Sequence, residues 1–200
     1  MQHLKNTNGS RSLLIVATAL LQACSPTSDS GKKETGQLLT RSQNLANQYG
    51  LELKSELQQA LANGGPTKAI LVCREKAPRI ALRISKVSGA TISRTSLKSR
   101  NPVNAPEDWQ LEVLRDFDKQ GKIAVDSPPP EFYASAEPGL HGFRYMRAIP
   151  TAPLCLTCHG SQLSDDVRNA LETHYPHDLA VGYEQGEIRG AFSVSWPLAN

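Results

Sequence analysis

The chain has 200 residues, 39% of them hydrophobic and 20% charged. That length and composition fit one globular domain with an appendage, and exclude a disordered chain or a wholly membrane-embedded fold. The formal charge of +3 is scattered, with no basic tract of the kind that holds nucleic acid.

The chain opens with Lys5 and Arg11 ahead of an apolar run of nine, Leu13 to Leu21, "LLIVATALL". A bilayer-spanning helix needs about 20 apolar residues, so the run fits the hydrophobic region of a secretory signal instead. It ends in "LLQAC", where small Ala23 precedes Cys24. This resembles a bacterial lipoprotein signal. The resemblance implies a signal peptide over residues 1–23, cleavage before Cys24 and a lipid on that cysteine. Ser25, rather than Asp, follows, which by the same resemblance directs the protein to the outer membrane, on its periplasmic side. Residues 24–36 then read as the lipidated cysteine and a flexible polar tether, and 37–200 as the folded domain. An exported chain meets oxidising conditions, where free thiols become oxidised or occupied.

Residues 37–63 are expected to be a long helix, since Leu38, Leu45, Tyr49, Leu53, Leu57 and Leu61 recur at helical spacing and Gly64-Gly65-Pro66 stops the run. A second helix is expected over 66–87, with Ile70, Cys73, Ala77, Ile80, Ala81 and Ile84 on its apolar face. "ATISRTSL", 90–97, alternates and is rich in β-branched residues, so it reads as a strand. "RNPVNAP", 100–106, is a loop. Residues 107–121 form a short amphipathic helix. "KIAVDSPPP" and "EFYASA" read as strands or irregular segments around Pro128 to Pro130. "GLHGFRYMRAIP", 139–150, is a strand leading into a cysteine cluster, and 163–173 is another helix. Residues 186–198 make a final strand or hairpin with Phe192, Val194 and Trp196 on one face. Helices followed by strands mixed with short helices predict an α+β domain with an antiparallel sheet.

The chemistry concentrates in "LCLTCHG", residues 154–160, where Cys155, Cys158 and His159 fall within five positions. Three readings compete. C-x-x-C-H is the attachment signature of c-type haem: two thiols bond the macrocycle and the adjacent imidazole ligates iron. Adding His174 and His177 gives C-x2-C-x15-H-x2-H, near a zinc pattern, but leaves His159 without a role. "CLTC" alone could be a redox dithiol, though no βαβ context surrounds it. Haem alone uses all three residues. The chain has four cysteines, so a lipid on Cys24 and a Cys155–Cys158 unit leave Cys73 over. Cys73 is either an inert buried thiol or a metal ligand, with Arg74 and Lys76 nearby to favour a thiolate.

The segments "CREKAPRIA" with Cys73, "SRTSLKSRNPVNAPEDWQLEVLRDF", "PLCLTCHG" and "YPHDLAVGYEQGEIRGAFSVSWPL" occur in this order across about residues 40–198. In them the chain resembles the PAS-like single-haem c-type proteins, long catalogued as a domain of unknown function. The resemblance implies a PAS-like antiparallel sheet with flanking helices, a long N-terminal one included, enclosing one covalently attached haem c. It further implies that Cys155 and Cys158 are the thioether anchors and His159 the proximal iron ligand. It places a cysteine of the early helix, here Cys73, as the distal ligand. Competing distal ligands in the sequence are Met146, His141, His174 and His177.

Haem propionates call for guanidinium partners, and Arg79, Arg94, Arg100 and Arg144 are the candidates. A thiolate ligand stabilises ferric iron and implies a low potential. Two functional classes follow. One is a redox or gas sensor that binds a small diatomic ligand and signals through a protein partner. The other is a periplasmic electron carrier with a redox partner. No nucleophile, base and orienting group come together in the sequence as an enzyme would require.

Overall fold

The computed structural model describes residues 27–124, 126–135 and 142–197. Cys24, the expected signal peptide and His141 lie outside them. Helix α1 spans Thr27–Leu71, so it begins ten residues before the expected start at 37. Residues 27–36, expected to be tether, therefore continue the helix, and those from 31 onward are mostly exposed. Once a helix is nucleated by packing, each added residue gains a hydrogen bond at little further cost. At the other end, Gly64-Gly65-Pro66 marks a kink. Gly65 adopts φ 68°, ψ −169°, a region that glycine alone reaches readily. Pro66, with its fixed φ and missing N–H, opens the next helical stretch. The chain then passes through a π-helical turn, Val72–Lys76, into α2, Ala77–Ser88.

Four strands follow: β1 Thr91–Thr95, β2 Glu131–Ala134, β3 Phe143–Pro150 and β4 Ile188–Trp196. Helix α3, Asp108–Lys119, lies between β1 and β2. A short α4, Leu156–His159, and α5, Asp165–His174, lie between β3 and β4. The sheet order is β1-β4-β3-β2, every neighbouring pair antiparallel. Among the described residues, those between α3 and Pro130 form no strand. Prolines 128–130 lack the N–H that a ladder needs.

Strand alternation divides the core between two faces of the sheet. Ile92, Phe143, Tyr145, Phe192, Val194 and Trp196 turn toward α1 and α2. Met146, Ala148 and Ala191 turn toward Val113, Leu114 and Phe117 of α3. Two buried polar contacts pin the layers: Trp196 Nε1 donates to Ser42 Oγ at 2.8 Å, and Gln110 Nε2 to Ser193 Oγ at 2.9 Å. Helix α5 packs on Ile70 at the lower end of α1. The expected α+β class and antiparallel sheet with a long N-terminal helix are both present.

Candidate functional site

Pro153–Cys155 form a 3-10 turn that runs directly into α4. A spacing of three residues on such a turn sets Cys155 and Cys158 on one face. Gly160 ends it, where a Cβ would meet the Leu156 carbonyl oxygen at 2.7 Å, so a side chain there would push the turn open. His159 and Gly160 are tied to a loop before β4. Tyr183 N–H donates to the His159 carbonyl at 2.9 Å and Gly182 N–H to the Gly160 carbonyl at 3.1 Å.

That loop also reaches the His159 ring. Nδ1 lies 2.7 Å from the Ala180 carbonyl oxygen. A carbonyl only accepts, so this contact calls for a proton on Nδ1 and leaves the Nε2 lone pair for a metal. Burial, with the nearby Arg189 and Arg100 charges, holds the imidazole pKa well below its usual value, so the ring is neutral. Burial pushes the Cys158 thiol up, Arg100 opposes this, and the neighbouring Cys73 and Cys155 add to it. A suppressed thiolate is the reverse of what a reactive dithiol needs.

Cys73, Cys155, Cys158 and His159 line one cavity. All three thiols are free and half-buried. Cys73 comes from the π-helical turn, where the Ala77 N–H bonds the Val72 carbonyl. Such turns insert one residue into the helical ladder and re-aim the side chains around it. Leu53, Leu57 and Leu61 of α1 and Ile149 of β3 give the cavity apolar walls. Tyr175, its phenol pushed up to about 12 chiefly by burial, lies at its edge. Asn101 and Asn104 also border it, but act on the loop. Asn101 Oδ1 accepts the Val103 N–H, and the Asn104 carbonyl accepts the Thr95 hydroxyl.

The four candidate arginines separate. Arg100 lines the cavity but is engaged: its Nε lies 3.0 Å from Asp178 Oδ2, with the two side chains 7% and 9% exposed. Its Nη2 donates to the carbonyls of Cys158 and Ala180. Arg94 also lines the cavity, and its Nε is buried with no hydrogen-bond partner among the described residues. Arg79 is exposed on α2, away from the cavity. Arg144 sits on the α3 side of the sheet, its guanidinium 4.9 Å from the centre of the Trp109 ring. A further arginine, Arg189, faces the cavity and was not singled out from the sequence; its Nε lies 3.1 Å from His159 Nδ1.

Of the competing ligands, the three among the described residues lie elsewhere. Met146 is fully buried against α3. His174 Nδ1 pairs with Arg74 Nη1 at 3.0 Å, and His177 is exposed. Among the described residues no group of three or more His, Cys, Asp or Glu side chains is gathered to hold a metal ion, so the histidines of the zinc pattern do not join Cys155 and Cys158. What the cavity does offer is a pair of thiols on one face, a neutral imidazole with Nε2 available, apolar walls and an orphaned guanidinium. This donor set fits a flat apolar macrocycle with acidic substituents, such as a haem.

A family model described as Tll0287-like matches residues 21–197. No curated protein matches the chain. Among solved structures, the chain is similar to the one described as the crystal structure of the cyanobacterial heme-protein Tll0287. The two are 26% identical with a TM-score of 0.58, and the match covers 84% of this chain and 97% of that one.

Proposed function

Because this chain belongs to the Tll0287-like family, we propose that it is a haem-binding protein with one haem c, bonded covalently through Cys155 and Cys158. His159 is the proximal iron ligand and Cys73 the distal one. Arg94 pairs with a propionate. The observation that carries this reading is the convergence on one cavity of Cys73, Cys155, Cys158 and His159 with the unpartnered Arg94 Nε. Haem bound there would supply one-electron redox chemistry and, with Cys73 off the iron, a coordination position for a diatomic gas. The chain's own residues orient and tune it. The Ala180 carbonyl fixes the His159 tautomer. Arg100 and Asp178 hold that carbonyl in place. A thiolate from Cys73 favours ferric iron and a low potential.

The protein acts in redox or gas sensing, exported to the periplasmic side of a bacterial membrane and anchored through lipid on Cys24. Sensing follows if Cys73 leaves the iron on reduction. A second reading, electron carriage, has its own support. Ala152, Pro153, Leu154 and Thr157 of the attachment turn are exposed and Cys155 is half-buried, so the thioether edge of a haem held there would lie near the surface.

Spectroelectrochemistry of the purified protein, with and without carbon monoxide, separates the readings. Gas binding only after reduction is expected for the sensor. Reversible cycling that ignores the gas would leave the carrier. A preparation without a covalently bound haem chromophore would end both.

A further inference from the structure

We propose that Arg189 is a second carboxylate-binding residue of the cavity, exchanging His159 Nδ1 for a haem propionate when the cofactor is in place. This rests on the haem reading above. Two observations carry it.

The first is a conflict at one atom. His159 Nδ1 has the Ala180 carbonyl oxygen at 2.7 Å and Arg189 Nε at 3.1 Å. The carbonyl can only accept a proton and the guanidinium can only donate one. A single ring nitrogen cannot satisfy both. With Nε2 committed to iron, Nδ1 carries the hydrogen and belongs to Ala180. Arg189 Nε then faces another N–H and has to find a different acceptor. Its Nη1 is held by neutral oxygens, Ser96 Oγ at 3.0 Å and the Lys98 carbonyl at 3.4 Å. Among the described residues Nη2 has no partner, so the outer edge of the fork is open to turn.

The second is charge. Arg94, Arg100 and Arg189 all line the cavity. Among the described residues the one carboxylate paired with any of them is Asp178, on Arg100. The Arg94 and Arg189 guanidiniums, both half-buried, are left facing the cavity with no carboxylate paired to them among the described residues, so an anion arriving there would gain two charge-assisted partners. A haem brings two propionates. Guanidinium binds a carboxylate through two parallel N–H groups, which a lysine cannot do. In this assignment Arg94 and Arg189 take one propionate each, and Arg100 stays with Asp178.

The test compares R189Q, R189K and R144Q in the full chain carrying covalent haem. Arg144 is the control, on the far side of the sheet. The readouts are the midpoint potential and the propionate bending band in the resonance Raman spectrum. R189Q is expected to lower the potential, because loss of a nearby cation favours the more positive, oxidised iron, and to shift the Raman band. R189K is expected to keep most of the potential but still shift the band. R144Q should change neither. An unshifted band in R189Q, or in R189K if R189Q does not fold, overturns the assignment while leaving the haem reading intact. If the wild-type protein carries no haem, its own absorption spectrum shows this first, and both fail together.

Discussion

Arg100 and Asp178 show what a buried ion pair contributes at a site of this kind. Asp178 Oδ1 accepts the Ala180 N–H at 2.7 Å, while Arg100 Nη2 donates to the Ala180 carbonyl at 3.2 Å. Both backbone groups of Ala180 are thus fixed, and with them the acceptor for His159. Removing one partner leaves an uncompensated buried charge, so Asp178→Asn is expected to cost about 3 kcal/mol. For a domain of this size that lowers the thermal midpoint by roughly 10 °C, which calorimetry would register. Cys73→Ala tests the proposed distal ligand directly: the ferric absorption spectrum should change, and an unchanged spectrum would rule Cys73 out as an iron ligand. Cys155, Cys158 and His159 were legible from the sequence because their geometry is local, set by spacing along one helical turn. Ala180 and Arg189 were not, because they come from 21 and 30 positions away in the chain and meet the ring only through tertiary structure. Nor does alternation along a strand reveal which face meets a cavity, which is why Arg144 looked equivalent to Arg94.

Helix α1 carries two glycines whose substitution should have opposite signs. Gly36 lies on its exposed stretch, where an added Cβ meets nothing within 4 Å. Gly36→Ala should stabilise the protein by about 0.5–1 kcal/mol through helix propensity and a less mobile unfolded chain. Gly65→Ala, at φ 68°, should destabilise it by about 1–3 kcal/mol. Thermal unfolding of the two variants checks both, and equal shifts would show that the kink is unstrained by a side chain. Helices α3 and α5 and strands β1, β3 and β4 were readable from periodicity and turn residues to within a few positions. The π-helical turn was not, because one inserted residue in a long apolar stripe leaves the 3.6-residue pattern almost unchanged over so short a stretch. The early start of α1 was hidden by the opposite effect: residues 27–36 have the composition of a linker, and their helicity is propagated from the packed part of the helix.

At the scale of the molecule, this extension alters how the body would stand on a membrane. Ten helical residues reach about 15 Å, a stiffer spacer than a flexible tether of the same length. None of the described helices is long and apolar enough to cross a bilayer. On the lipid-anchor proposal, attachment depends on Cys24. Cys24→Ser should move the protein from the membrane pellet to the soluble fraction; a variant still retained in the pellet would sink the lipid-anchor proposal. The sheet order has a consequence for timing. The last of the described strands, β4, is hydrogen-bonded on both sides, between β1 and β3. Until it arrives, β1 has no partner in the sheet. The turn bearing Cys155 and Cys158, the loop of Ala180 and then Arg189 emerge in that order as the chain is made. The thiols of Cys155 and Cys158 are therefore presented on an open segment before the strand that closes their cavity exists. On the covalent-haem proposal, the thioether bonds would form on an accessible peptide, before the cavity closes around the cofactor.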